Sequence, residues 1–243
     1  MITIDDLRKS FDSESVLSGL SFVVPEGSVV AIVGPSGAGK TTLLNILAGI
    51  LTADKGTVQI TQGARLGYML QEPALLPWRT VAENARLGLE LVGGSESIST
   101  EFMKKLFQEF ELNGAQQKYP VQCSIGMQQR TALIRTLAIE PNVLLLDEPF
   151  SSLDYDIKLR AQMSLTRYVE QKKPAVLIVT HDIEDAIALA DTVIVLSAKP
   201  ATVKAEIHIN LGLPKHDPVA ARTSPKFREY FEEIWQHLKY LPS

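Results

Sequence analysis

Hydrophobic positions along the chain fall into two kinds of run. Short, almost wholly apolar stretches stand at Ser28–Val33, which is rich in β-branched residues, and at Val143–Leu146, Ala175–Val179 and Thr192–Leu196. Apolar residues in direct succession, without alternation, predict strands buried on both faces. Other segments space their apolar residues three and four apart, which predicts helices. Thr41–Ile50 carries Leu43, Leu44, Ile46 and Leu47 and ends near Gly49. Glu101–Glu111 carries Phe102, Leu106, Phe107 and Phe110, and Ser124–Ile139 carries Leu133, Ile134 and Leu137. Short strands are expected at Thr57–Thr61 and Arg65–Leu70, on either side of Gly63. Val203, Ala205, Ile207 and Ile209 alternate with polar residues, as in a half-exposed strand.

Strands that alternate with helices predict an α/β fold, a mostly parallel sheet covered on both sides. The largely helical stretch from about Pro73 to Ala138 interrupts that alternation and reads as an inserted helical lobe. Two segments read as loops: Gly93-Gly94-Ser95-Glu96-Ser97, and Leu211–Ser224 with Pro214 and Pro218. After them, Ser224 and Pro225 suit the N-cap and first position of a last helix. Phe227, Tyr230, Phe231, Ile234, Trp235 and Leu238 give that helix one apolar face, a docking surface onto this chain or a partner. The whole of 1–243 is expected to form one domain, with about 199–243 as a C-terminal strand and helix extension.

Chemistry enters at Gly34-Pro35-Ser36-Gly37-Ala38-Gly39-Lys40-Thr41, followed by Thr42. The spacing G-x-x-x-x-G-K-[ST], after a strand and before a helix, is that of a phosphate-binding loop. Its glycines let backbone N–H groups close around phosphate oxygens, and the helix dipole points at the same anion. Lys40 would reach the β- and γ-phosphates, and the Thr41 hydroxyl would hold Mg²⁺. The strand at Val143–Leu146 delivers Asp147 and Glu148 to the carboxyl edge of the sheet, where such folds bind ligands. Asp147 suits Mg²⁺, and Glu148 is placed to orient or deprotonate an attacking water.

With these segments in view the chain resembles the ATP-binding subunit of ABC transporters, from Met1 to about Ser197. Cys123-Ser124-Ile125-Gly126-Met127-Gln128-Gln129-Arg130 occupies the position of the family's signature segment. Ser151-Ser152-Leu153-Asp154 looks like its D-loop, His181 like its switch histidine, and Gln71 like its Q-loop glutamine. Phe11 stands where the family puts an aromatic that stacks on adenine. The resemblance implies a P-loop NTPase fold with a small antiparallel β subdomain, and ATP and Mg²⁺ as cofactors. It gives Glu148, His181 and Gln71 catalytic roles, with Gln71 also near the metal alongside Thr41 and Asp147. It implies two nucleotides sandwiched in a dimer, a homodimer in the simplest case. Ser124, Ile125, Gly126 and Met127 would then serve the partner's nucleotide, and Asp154 would sit at the seam.

One residue departs from the pattern. The family's signature usually reads Leu-Ser-Gly-Gly-Gln, and Ile125 replaces a glycine there. A β-branched residue adds bulk and disfavours positive φ, which predicts a weakened closed dimer and slow hydrolysis. The alternative is that its side chain points away and only its N–H is used. Cys123, in place of leucine, is expected to be a small apolar filler near the dimer seam.

Composition narrows the partners. The chain has 243 residues, a net charge of -4 and one cysteine. A slightly acidic balance speaks against nucleic acid as a partner, and a single cysteine excludes an internal disulfide. No apolar run reaches the length of a membrane span, and Met1-Ile-Thr-Ile-Asp-Asp is unlike a signal peptide. The resemblance therefore implies a peripheral protein on the cytoplasmic face of the membrane, docked on separate integral permease subunits and served indirectly by an extracytoplasmic solute-binding protein. Leu75, Leu76 and Trp78, after Gln71, suit a permease contact, although some of them would also pack the helical lobe. The Leu-Leu-Pro-Trp-Arg-Thr-Val stretch and the short C-terminal part look most like the nitrate/sulfonate/taurine import group, whose relatives also serve vitamin and thiamine-precursor uptake. A soluble ABC ATPase acting on nucleic acid or ribosomes is the runner-up. A small-molecule kinase with the same loop would leave the signature, D-loop and His181 unexplained.

Overall fold

The computed structural model of the chain describes residues 1–92, 96–213 and 217–239. In chain order the elements are β1 (Ile2–Phe11), β2 (Glu14–Val24), β3 (Val29–Val33), α1 (Lys40–Leu47), β4 (Lys55–Ile60), β5 (Leu66–Met69), α2 (Val81–Leu91) and α3 (Glu96–Glu109). A single tight turn at Pro120–Gln122 precedes α4 (Ile125–Ala138). Then follow β6 (Val143–Asp147), α5 (Tyr155–Lys172), β7 (Ala175–Val179), α6 (Ile183–Leu189), β8 (Thr192–Leu196), β9 (Val203–His208), α7 (Pro218–Thr223) and α8 (Pro225–Lys239).

Six strands form the central sheet in the order β5-β6-β7-β3-β8-β9. All neighbours are parallel except β8 and β9, which run antiparallel. The buried runs divide by parity, as a sheet covered on both faces requires. Leu144 and Leu146 of β6 join one core with Val176 and Ile178 of β7. Val143 and Leu145 join the other with Ala175, Leu177 and Val179. The first core is shared with α4, α5 and α6, and the second with α1 and a three-stranded antiparallel sheet, β2-β1-β4. The mostly parallel sheet and the small antiparallel one are therefore both present. Between β5 and β6 the described residues form helices and no strand.

Several boundaries differ from the sequence reading. The strands flanking Gly63 belong to different sheets: β4 pairs with β1, and β5 pairs with β6. Strands β1 and β2 have no clear period in the sequence because their pairing shifts register between Ile4 and Leu7, Leu7 and Arg8, and Lys9 and Ser10. Each shift moves the apolar set to the other face and erases the alternation. Within the expected loop at Gly93–Ser97, residues 93–95 lie outside the described residues, while Glu96 and Ser97 already belong to α3. The expected loop at Leu211–Ser224 is corrected by α7; Pro214 lies outside the described residues. Asp217 caps α7, its carboxylate accepting from the N–H groups of Val219 (3.0 Å) and Ala220 (2.9 Å). Pro218 takes the first helical position, where its missing N–H costs nothing. Ser224 does precede α8, but its hydroxyl donates to Leu211 O (3.1 Å).

The apolar face of α8 docks mainly on its own chain. Ile234 is fully buried, and Phe227, Tyr230, Phe231 and Leu238 pack against the first core. Trp235 remains half exposed and stacks on Phe231 with ring centroids 6.4 Å apart.

Candidate functional site

The phosphate loop joins β3 to α1, and its backbone is set by glycine. Gly39 precedes α1 with φ 88°, a left-handed conformation that other residues adopt at a cost. A Cβ there would also lie 2.6 Å from Val16 Cγ1 and 2.9 Å from Leu17 Cδ2, so β2 packs on the loop as only glycine allows. The first turn of α1 directs its free N–H groups into a cleft of about 460 Å³. Ser36, Gly37, Gly39, Lys40, Thr41 and Thr42 form its floor. Gly34 and Ala38 are buried beneath. The Lys40 ammonium donates to Gly34 O and Pro35 O, both at 2.9 Å, which folds it back over the loop. Burial lowers the Lys40 pKa, while the charges of Glu148 and Asp147 act the other way.

The acidic side of the cleft comes from the end of β6. Thr41 Oγ1 donates to Asp147 Oδ2 at 2.8 Å, which joins the loop to the sheet edge. Burial raises the Asp147 pKa and the charge of Glu148 adds to this, against the Thr41 hydrogen bond and the Lys40 charge. Glu148 is 8% exposed and has φ 49°, an uncommon backbone state for a residue with a side chain. That turn is held on three sides. Glu148 N–H donates to Val179 O (2.9 Å), Gln129 Nε2 donates to Glu148 O (3.2 Å), and Ser151 Oγ donates to the same carbonyl (3.1 Å). The carboxylate faces β7, with Oε1 2.8 Å from His181 Nδ1 and Oε2 accepting from Thr180 Oγ1 at 3.5 Å.

Gln71 and Phe11 also line the cleft. Gln71 opens a segment tied down farther along. Arg135 of α4 donates to Pro73 O (2.7 Å) and Ala74 O (2.9 Å). The buried Asn84 side chain accepts from Leu76 N–H (2.7 Å) and donates to the carbonyls of Leu76, Arg79 and Thr80 at 3.0–3.1 Å. Leu75 packs into the core, Leu76 is half buried, and Trp78 is 71% exposed.

The signature segment stands elsewhere. Ser124 caps α4, its hydroxyl accepting from Met127 N–H at 3.3 Å, and none of Ser124, Ile125, Gly126 and Met127 lines the cleft. Ile125 begins α4 and is absent from the positive-φ residues, so the expected backbone objection to it fails: a helical first position needs no glycine. Its side chain is 66% exposed. Gly126 abuts the Ser151–Asp154 stretch, where a Cβ would lie 3.2 Å from Leu153 Cδ2. Asp154 precedes α5, exposed, and its side chain makes no cap hydrogen bond. Cys123 packs on the core and its thiol donates to Tyr119 O at 3.4 Å.

The sequence reading missed Thr180 and Gln129, which brace Glu148, and Lys199, which lines the cleft from the turn after β8. No motif marks Thr180 or Lys199, and Gln129 lies inside the expected signature segment without any sign there that it reaches Glu148.

The cleft has the features of a nucleoside-triphosphate site. Lys40 and free amides suit phosphate, the Thr41–Asp147 pair offers hard oxygens for Mg²⁺, and an exposed ring at Phe11 offers a stacking face. Comparisons agree. A family model described as ABC transporter matches residues 17–151. An uncharacterized ABC transporter ATP-binding protein of Bacillus subtilis, YtlC, is 38% identical over 95% of this chain and 91% of its own length. The aliphatic sulfonates import ATP-binding protein SsuB of Corynebacterium glutamicum is 38% identical over 98% of this chain and 93% of its own. Among solved structures, a dimeric ATP-binding cassette in a post-hydrolysis state with ADP and Pi has a TM-score of 0.77, at 26% identity, over 86% of this chain and 99% of that one. The chain belongs to the ABC transporter family and is one of its ATP-binding ATPase subunits.

Proposed function

We propose that this chain powers a membrane importer of a small solute by hydrolysing ATP between two copies of itself. The observation that carries the reading is the convergence of Lys40, the Thr41–Asp147 pair and the Glu148–His181 pair on one cleft. Lys40 and the loop amides stabilise the charge that builds on the γ-phosphate. Thr41, Asp147 and Gln71 would hold Mg²⁺, which neutralises phosphate oxygens when bound. Glu148 takes the proton of the attacking water, while His181 and Thr180 fix its carboxylate. Phe11 stacks on the adenine.

The placement of α4 supports the dimer. Its capped N-terminus carries Ser124, Ile125, Gly126 and Met127 away from this chain's own cleft, which suits a role toward a partner's nucleotide. Asp154, exposed with an uncommitted cap position, suits the seam. No helix among the described residues is long and apolar enough to cross a membrane. In this reading transport runs through separate permease subunits, as the likeness to import ATP-binding proteins supports, with a solute-binding protein beyond them. The chain would then sit on the cytoplasmic face, with exposed Trp78 toward the permease. Sulfonate-import relatives at 34–38% identity favour an alkanesulfonate or a similar small anion as cargo.

Deletion of the gene tests the cargo assignment. Loss of growth on alkanesulfonate as sole sulfur source, with growth on sulfate kept, supports it. Unchanged growth on alkanesulfonate contradicts it. Co-purification of the tagged chain with a membrane permease, weakened by Trp78→Ala, supports the docking, and a chain that purifies with no permease contradicts it.

A further inference from the structure

One cleft residue comes from the far end of the chain. Lys199 lines the cleft with Phe11 and Val16, yet it lies in the turn between β8 and β9. Backbone hydrogen bonds fasten that turn to β2: Ala201 N–H donates to Val16 O (2.8 Å), and Ser18 N–H donates to Ala201 O (2.9 Å). Within the turn, Ser197 Oγ accepts from Thr202 N–H at 2.9 Å. Val16 is the same residue that packs on Gly39 of the phosphate loop. The support under Lys199 is thus continuous with the support under the phosphates.

The ammonium has a defined place on it. Lys199 Nζ donates to Glu14 Oε1 at 3.1 Å, and Glu14 faces Phe11 across the β1–β2 register. This puts Lys199 at the Phe11 end of the cleft. An ion pair this exposed is weak in water, so its ammonium can turn to a better acceptor. Lysine carries three donors and no acceptor, so it selects acceptor atoms, such as purine ring nitrogens and ribose oxygens.

We propose that Lys199 is a nucleotide-binding residue that donates to the nucleoside of the bound ATP, and that Glu14 holds it in position while competing for it. The assignment rests on the reading of this cleft as the ATP site. It makes a prediction that a merely structural ion pair does not. Removing either end of a structural pair has effects of the same sign. For a ligand contact with a competitor, the two ends act in opposite directions.

Calorimetric titration of the full chain with ATP decides the matter, with Lys40→Ala as the control for the cleft. Lys199→Met should raise the ATP Kd about fivefold, the loss of one charge-assisted hydrogen bond, and Lys199→Arg should recover most of it. Glu14→Gln should lower the Kd. The Lys199→Met effect should be as large with ADP as with ATP. Thermal melts without nucleotide separate any folding defect from a binding defect. An unchanged Kd in Lys199→Met, or weakening by both Lys199→Met and Glu14→Gln, overturns the assignment. A loss with ATP but not ADP places the lysine on the γ-phosphate and overturns it too. Wild-type protein that binds no ATP, or binds it equally with Lys40→Ala, overturns the reading of the cleft and the assignment with it.

Discussion

Glu148 Oε1 lies 2.8 Å from His181 Nδ1, joining the end of β6 to the residues that follow β7. His181 is itself largely exposed, so the carboxylate is the buried member and the imidazole its adjustable brace. Replacing His181 by alanine leaves the Glu148 carboxylate with Thr180 Oγ1, at 3.5 Å, as its hydrogen-bond partner among the described residues. Turnover should fall by roughly 10²-fold while ATP affinity changes little, as expected when a general base loses its orientation. Steady-state ATPase and ATP titration on the same preparation check this. Equal losses in binding and turnover would place His181 in nucleotide binding instead.

Asp147 links stability to pH. Burial raises its carboxyl above the ordinary 3.8, so the fold favours the neutral form. For a raised carboxylate the fold is unpenalised below pH 3.8. A cost builds as pH climbs through the folded value and then stays constant. Asp147→Asn removes that cost and keeps an oxygen for Thr41. Its nucleotide-free Tm should exceed wild type by a few degrees at pH 7.5, with a smaller margin at pH 4.5, at roughly 2–4 °C per kcal/mol. ATPase activity should be lost in the same variant. A lower Tm than wild type at pH 7.5 contradicts the argument.

Lys158 ties α5 to the segment after His181. Its ammonium meets Asp182 Oδ2 at 2.6 Å and Asp185 Oδ2 at 2.7 Å, and Arg222 of α7 and Gln162 add to Asp185 at 3.0 and 2.9 Å. Asp182 also caps α6, accepting from Glu184 N–H and Asp185 N–H. Lys158→Met leaves Asp185 with Arg222 and Gln162 alone and takes the cation from the partly exposed Asp182, and should cost about 2 kcal/mol in urea unfolding. Lys158→Arg should restore most of it. A loss below about 0.5 kcal/mol would mean the pair behaves as a surface contact.

Asn84 closes the segment between Gln71 and α2 with four hydrogen bonds. Asn84→Ala strands the Leu76 N–H and takes a donor from the Arg79 carbonyl, while the Leu76 and Thr80 carbonyls keep the backbone N–H groups of Arg79 and Asn84; the cost should be about 2 kcal/mol. Proteolysis of that segment should accelerate well before the whole chain unfolds. Global unfolding with no local sensitivity contradicts the staple role.

Ile125 retains one consequence from the sequence argument. Its backbone is helical and unstrained, so only the bulk of an exposed side chain remains. Ile125→Gly should strengthen ATP-driven dimerisation several-fold, despite a helix cost of up to about 1 kcal/mol. Sedimentation with ATP measures it, and unchanged dimerisation shows that the side chain points clear of the partner.

Much of this architecture is legible in the chain because the central strands are buried on both faces. Runs such as Val143–Leu146 and Ala175–Val179 have one plausible fate, and glycine spacing marks the phosphate loop. What escapes has physical causes. Register shifts hide β1 and β2, and Pro218 looks like a breaker but starts α7. Thr180 and Lys199 carry no motif, and the signature segment gives no hint that Gln129 reaches Glu148, because each acts through a contact between distant segments. The concern over φ at Ile125 came from the residue type alone, and α4 removes it.

Glu148 is the group on which the proposed activation of water rests. Glu148→Gln keeps the size of the side chain and removes its basicity. Single-turnover hydrolysis by this variant, measured beside ATP binding, should be slower than wild type by ~10²–10⁴-fold, with the affinity for ATP retained. Hydrolysis at the wild-type rate would contradict the account.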